Sequence, residues 1–294
     1  AGGGFLANWL GWQSIFWVNP PICIGLFAAC QFCLEEQRGE IGSRAGVALI
    51  LAAVVAIVGL VWSLLEGGHR GWSSAIVIVP GAASLALLLA LLGRLARIDT
   101  LTHVQRGFLS ACAMAALLSI AYWATLVYLP LAGSQWFRID PAQTGLLLLA
   151  ATAPMLLLPR FGAAFARRYG LGLLFATGMS AVALGDVLVW YVSTAPEFFL
   201  MLSGMILAGS GAGLMNAQLS GAFAGLALPE WAGMASALGI TMRQLGYALG
   251  IALLGAGANV GATPFAASFI AAGIAAAIGV IVALRMPRGP ALKG

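Results

Sequence analysis

The sequence predicts an all-α membrane protein, a bundle of about nine transmembrane helices. Three observations predict it. Hydrophobic residues make up 62% of the 294 positions and charged residues 8%, against roughly 25% charged in a soluble domain. So little charge cannot cover a water-facing surface, and the matching solvent is lipid. The apolar residues fall into runs close to the ~20 residues that a spanning helix needs, without the alternation of a membrane barrel. The basic residues gather in alternate connections, as a multi-pass topology requires.

The expected helices follow in chain order. The first, near 15–34, holds Cys23, Cys30 and Cys33. Cys30 and Cys33 have Cys-x-x-Cys spacing, but no second pair or neighbouring His completes a metal set. We expect these thiols, with Cys112, to be buried in helix packing, and we expect no metal and no cofactor. The second and third helices lie near 45–65 and 73–92. The fourth, near 108–132, carries Ser119, Tyr122, Thr125 and Tyr128 at spacings of three, one partly polar face. Such a face suits a cavity lining or hydrogen bonding between helices.

The fifth helix, near 143–162, is opened by Asp140-Pro141-Ala142-Gln143, with an N-cap Asp, a Pro at the first helical position and a Gln at the third. The sixth, near 172–192, contains Asp186. Pro196-Glu197 opens the seventh, near 197–223, where the acid suits the positive end of the helix dipole. The eighth, near 232–257, contains Arg243. The ninth runs near 264–284 and ends before Arg285.

Short connections make neighbouring helices antiparallel. With the start of the chain placed outside, inner segments carry Arg38, Arg44, Arg94, Arg97, Arg106, Arg160, Arg167, Arg168, Arg285, Arg288 and Lys293. Outer ones carry Arg70 and Arg138. Eleven against two is a strong positive-inside bias. Trp9, Trp12, Trp17, Trp62, Trp72, Trp136 and Trp190 fall near the outer ends, where an amphipathic ring is at home. The expectation is a multi-pass protein of the cell (inner) membrane with a cytoplasmic C-terminus.

Polar groups inside spans carry the functional signal, because a charge at mid-bilayer costs at least about 2.5–3.5 kcal/mol. Arg243, in Thr241-Met242-Arg243-Gln244-Leu245-Gly246, sits near the middle of its helix. It suits a cavity that holds an anionic group or a carboxylate partner; the alternative is a side chain that bonds helix-end carbonyls or snorkels to the cytoplasmic interface. Asp186 is a candidate protonatable site, or reaches outside water. Asn216 and Gln218 add polarity to the seventh helix. Gly209, Gly211, Gly213, Gly221 and Gly225 form a small-residue face there, and Gly246 and Gly250 repeat the spacing on the eighth. Residues this small four apart let backbones approach closely, and smooth faces also let helices slide or bend.

Several classes are disfavoured. No basic cluster with interleaved aromatics points to nucleic acid. No phosphate loop, His-Glu-x-x-His or nucleophile elbow points to an enzyme. His69 and His103 lie in connections and are assigned no role.

Three stretches carry a family resemblance. Gly3-Gly4-Phe5-Leu6-Ala7-Asn8-Trp9-Leu10-Gly11-Trp12, continuing through Trp17-Val18-Asn19-Pro20-Pro21, resembles the end of the fifth helix and the start of the sixth in the fourteen-helix drug:proton antiporter branch of the major facilitator superfamily. Its Gly pair resembles the tail of the Gly-Pro-x-x-Gly-Gly antiporter motif. Ala232-Gly233-Met234-Ala235-Ser236-Ala237-Leu238, with Arg243-Gln244-Leu245-Gly246-Tyr247-Ala248-Leu249-Gly250, resembles that branch's thirteenth helix. Phe161-Gly162-Ala163-Ala164-Phe165-Ala166-Arg167-Arg168-Tyr169-Gly170 resembles the cytoplasmic loop motif after a repeat's second helix, with Arg167 where the motif has an Asp.

The resemblance implies that residues 1–34 are the tail of an N-terminal bundle, 35–106 a cytoplasmic loop and linker helix pair, and 107–294 a C-terminal six-helix bundle. Five further helices are then expected upstream. It implies alternating access, with proton entry driving amphipathic small molecules or drugs out. The expected partners are the lipid bilayer, a small-molecule substrate and protons. Arg243, Tyr122, Thr125, Tyr128, Asp186 and Asn216 are the expected cavity residues. Two other readings stay open: a facilitator-type porter for one metabolite, with Arg243 as a carboxylate anchor, and a membrane subunit or relic that does not transport by itself.

Overall fold

A computed structural model describes residues 13–33, 44–96, 104–139, 141–226, 232–258 and 263–286. The Gly3–Trp12 motif, Arg38, Arg97, His103, Asp140, Arg288 and Lys293 lie outside the described residues. The same holds for the side chains of Cys33, Arg44, His69, Arg94 and Arg106. The regular secondary structure of the described residues is all helical, with no strand among them.

The chain divides into two units, Ala1–Arg44 and Ala45–Gly294. The first contains α1 (Ser14–Trp17) and α2 (Asn19–Cys33). Pro20 and Pro21 fall in the first turn of α2, where a missing N–H costs nothing. Cys23 and Cys30 are exposed, against the expectation of buried thiols; Cys112, in the second unit, is buried as expected. The difference follows from α2 itself, whose described side chains are exposed around its whole circumference.

The second unit opens with α3 (Arg44–Arg70) and α4 (Ala75–Ala96). Glu66 and Arg70 form an ion pair one turn apart at the end of α3. Gly59 and Gly81 bring the two helices together: a Cβ on Gly59 would strike the Ser84 hydroxyl, and one on Gly81 would stand 3.1 Å from the Ser63 Cβ.

The rest of this unit is α5 (Val104–Leu118), a π turn (Ser119–Trp123), α6 (Thr125–Phe137), α7 (Pro141–Thr152), α8 (Pro154–Leu157), α9 (Pro159–Tyr169), α10 (Leu171–Val192), α11 (Phe198–Gly225), α12 (Ala232–Gly257) and α13 (Ala266–Leu284). Among the described residues five helices are long and apolar enough to cross a membrane. A sixth is added if the bent pair Gln143–Leu157 and Pro159–Tyr169 forms one span. These correspond to the fourth to ninth expected spans. In the region of the second and third, Val54–Ser63 and Ala75–Leu91 are shorter apolar segments.

The fifth expected span departs from a straight helix. Pro154 and Pro159 each begin a new helical segment, and the axis bends by 51° between Leu157 and Pro159. A proline removes one backbone donor and clashes with the preceding turn, leaving the carbonyl four residues back without its helix partner. The Gln218 amide donates to the Pro159 carbonyl at 3.0 Å. Beyond the bend, residues expected in a loop form α9. The reason is amphipathicity: Gly162 and Ala166 are buried while Arg167 and Arg168 are exposed. Arg160 and Arg168 lie over the rings of Phe161 and Tyr169, at 4.8 and 5.2 Å from their centroids. Gly170, at φ 88°, ends α9 in a conformation that L side chains resist.

The core of the unit is built from Met114, Leu118, Tyr122, Leu147, Phe175, Met179, Met205 and Phe269, all at most 1% exposed. The outside is strongly apolar: Leu156 is 84% and Phe199 81% exposed, as a lipid-facing surface demands. The most extensive helix pair is α10 with α11, and glycines make it. A Cβ at Gly178 would stand 3.0 Å from the Gly211 carbonyl oxygen, and one at Gly204 3.0 Å from that of Gly185. Gly209 and Gly213 seat α11 against the backbone of Ala151 and Pro154. The expected small-residue face stops there, because Gly221 has open space beside it. At the far end of α6, the Trp136 indole donates to the Pro264 carbonyl at 3.0 Å and its ring lies 5.6 Å from that of Phe269.

Candidate binding site around Arg243

Two features of the backbone position this site. The first is the π turn. The Ala124 N–H donates to the Ser119 carbonyl at 2.9 Å, a bond spanning five residues rather than four. The extra residue widens the helix and turns the side chains after it out of phase with those before. The second is the close approach of α12. Gly246 lies against the backbone of Ala116, and a Cβ on Gly250 would stand 2.9 Å from the Ile120 Cα. With no side chains between them, α12 meets α5 and the π turn almost backbone to backbone.

The result is a pocket of about 130 Å³ lined by Ser119, Trp123, Arg243, Gln244 and Tyr247. Arg243 is half-buried and donates through Nη1 to the Asn216 Oδ1 on α11 at 3.4 Å. Among the described residues no carboxylate forms an ion pair with Arg243, and none lines the pocket. Ser119 is 1% exposed. Its hydroxyl and the Trp123 Nε1 are buried with no hydrogen-bond partner among the described residues.

Of the six expected cavity residues, the structure brings Arg243 and Asn216 together. Tyr122 and Thr125 turn inward instead. The buried Tyr122 hydroxyl donates to the Ala151 carbonyl of α7 at 2.7 Å, and its ring meets Trp123 edge-on with centroids 5.5 Å apart. Thr125 donates back to the Ala121 carbonyl at 2.7 Å. The Tyr128 hydroxyl donates to the Ile251 carbonyl at 2.7 Å, tying α6 to α12. Tyr122 therefore frames the pocket from behind through Trp123, and Tyr128 fixes the helix that carries Arg243.

Asp186 stands apart, on α10. It is 1% exposed, its Cβ faces Gly273 of α13, and neither carboxyl oxygen has a partner among the described residues. It does not reach water. A polar group left buried and unbonded costs about 1–3 kcal/mol, so Asp186→Val is expected to raise the melting temperature of the purified protein by a corresponding amount. A lower melting temperature would mean that the carboxyl has a stabilising partner.

Trp123, Gln244 and Tyr247 were not foreseen as site residues. Trp123 follows Ser119 by four residues, a spacing that places both on one helix face, but an indole in an apolar run adds no polar signal to the pattern. Gln244 and Tyr247 had a visible signal, since both neighbour Arg243 within four residues on α12. Among the described residues no group of three His, Cys, Asp or Glu side chains comes together to hold a metal.

No family model matches the chain. It is similar to curated proteins named for drug resistance and for triacylglyceride transport. The multidrug resistance protein Stp of Mycobacterium tuberculosis is 29% identical over 261 residues, covering 86% of this chain and 48% of Stp. A triacylglyceride transporter of Mycobacteroides abscessus is 28% identical over 276 residues, covering 86% of this chain and 53% of the relative. The methylenomycin A resistance protein of Streptomyces coelicolor is 25% identical over 262 residues, covering 86% and 54%. The chain thus spans about half the length of the curated relatives it matches. These relatives fit the resemblance to a facilitator-type transporter fragment read from the sequence.

Proposed function

We propose that this chain is the C-terminal part of a proton-coupled exporter of amphipathic small molecules or drugs, working by alternating access. The observation that carries the reading is the similarity over 86% of the chain to proteins named for drug resistance and for triacylglyceride transport. In this reading residues 1–34 close an N-terminal bundle, 35–106 hold a linker pair, and 107–294 form the second bundle. The C-terminus is cytoplasmic and the membrane is the inner one, supported by the eleven-to-two bias of basic residues between alternate segments. Nucleic acid is not a partner, and the chain is not an enzyme.

Within the second bundle Arg243 and Asn216 contact the transported molecule. Tyr122 and Tyr128 hold the helices around it, and Thr125 supports the turn between them. Asp186 contributes to the cycle through the α10–α13 interface rather than the pocket. A charge inside a span is retained where it faces a water-filled cavity or a partner, and Arg243 faces a pocket that two buried donors share. The name of the Mycobacteroides abscessus relative favours a second cargo, a neutral lipid, exported by the same rocking of bundles.

Reconstitution of the full chain in liposomes tests the reading. An imposed pH gradient is expected to drive ethidium across the membrane, and a protonophore to stop it. Ethidium flux indifferent to the gradient would remove proton coupling; no flux of any probe would favour a subunit that does not transport by itself.

A further inference from the structure

We infer that the π-turn pocket is an oxyanion site, taking the carboxylate or phosphate head of an amphipathic molecule whose apolar tail lies outside it. The inference deepens the transporter reading and rests on it for the site's place in a cycle.

The chemistry of the lining decides the sign of the ligand. An arginine guanidinium and a tryptophan indole can only donate hydrogen bonds. Arg243 spends one N–H on Asn216, and the Trp123 Nε1 spends its proton on nothing. Ser119 differs from several hydroxyls inside the helices of this bundle, and shares an unpartnered buried hydroxyl with Ser193 at the end of α10. Thr125, Thr152 and Ser210 each donate to the carbonyl one turn back, at 2.7 Å, the usual refuge of a hydroxyl inside a helix. The Ser119 hydroxyl, 1% exposed, makes no such bond and borders the pocket. A positive charge and two residues with unspent donors thus border one pocket, and no carboxylate among the described residues lines it. An acceptor of negative charge completes them, and a cation finds no counter-charge there.

Size decides the extent of the ligand. Drug-sized molecules occupy pockets of about 300–1,000 Å³. A space of about 130 Å³ admits a single head group and no more. The rest of a membrane-borne molecule then extends along the apolar helix surfaces.

The two unspent donors make the test sharp, because removing them breaks no bond within the protein. The full chain, wild type and the variants Ser119→Ala and Trp123→Phe, is purified in a neutral detergent and titrated with laurate. Dodecyl phosphate, acetate and dodecyltrimethylammonium are titrated alongside, with binding read by native mass spectrometry and thermal shift. Each substitution is expected to weaken laurate binding about ten-fold or more, the loss typical of a hydrogen bond to a charged group. Neither should lower the melting temperature of the unliganded protein. Ser119→Ala carries the test by itself if Trp123→Phe does not fold.

Dodecyl phosphate is expected to follow laurate. Acetate binding with the same sensitivity to the substitutions would assign the site to free small anions, and laurate binding without acetate to amphipaths; both support the oxyanion assignment. Laurate bound equally by wild type and variants would overturn it. So would dodecyltrimethylammonium binding with the same losses. Ethidium flux in liposomes alongside either overturning result would leave the transporter reading standing and remove the oxyanion site alone.

Discussion

Gly246→Leu is expected to cost the protein its fold in the membrane, with the amount of intact protein extracted by mild detergent falling several-fold. The backbone of α12 touches that of α5 at Ala116, and any Cβ at position 246 overlaps it. Overpacking a core usually costs about 1–3 kcal/mol, where neighbouring side chains move aside. Here the obstacle is main chain, held in place by its own helix hydrogen bonds, so the relief is to push α12 away. That movement also breaks the Tyr128–Ile251 bond and opens the pocket between the π turn and Arg243. Gly221→Leu is the control. Gly221 lies on a helix of similar length with open space beside it, and its substitution is expected to leave the yield unchanged. Equal losses for the two would show that side-chain volume anywhere in these helices, rather than this crossing, limits stability.

Arg243→Ala is expected to reduce export at least about a hundred-fold while membrane abundance stays within two-fold of wild type. The two readouts separate because Arg243 makes its one hydrogen bond to a half-buried Asn216 and pairs with no carboxylate among the described residues. Removing it leaves no buried counter-charge stranded, the usual source of severe destabilisation. What disappears is the positive charge of the pocket, where low polarity makes each electrostatic contact stronger than in water. Arg243→Lys keeps the charge but not the planar fork, and an intermediate rate is expected.

Much of this architecture is legible in the residues. The ends of α10, α12 and α13 fall within two residues of the apolar runs that announce them, because hydrophobic length is nearly the only constraint on a spanning helix. The glycine spacings on α11 and α12 announce close crossings, and Gly209, Gly211, Gly213, Gly246 and Gly250 make them; Gly178 and Gly204, outside that reading, add to them. Arg243 is conspicuous for being a charge in an apolar run.

The rest is lost for definite reasons. Ser119, Tyr122, Thr125 and Tyr128 read as one polar face only at regular helical spacing, and the π turn between Ser119 and Trp123 breaks that phase. Ser119 then faces the pocket while Tyr122 faces α7. The prolines at 154 and 159 were visible, but a proline marks a weak point and not the size of a bend. The depth of Asp186 was also hidden. Whether a carboxyl six residues from a helix end meets water depends on which neighbour covers it, and α13, nearly ninety residues further along the chain, is that neighbour.

The central claim is that the Arg243 pocket belongs to the path of a transported molecule. The most direct measurement is the initial rate of pH-gradient-driven transport of an anionic amphipath, a fluorescent alkyl phosphate, in liposomes carrying equal amounts of wild-type protein and Arg243→Ala. The account predicts a rapid flux for wild type, abolished by a protonophore, and a flux indistinguishable from empty liposomes for the variant. Wild-type and variant fluxes that coincide above the empty-liposome level would contradict it, and the pocket would then lie outside the path.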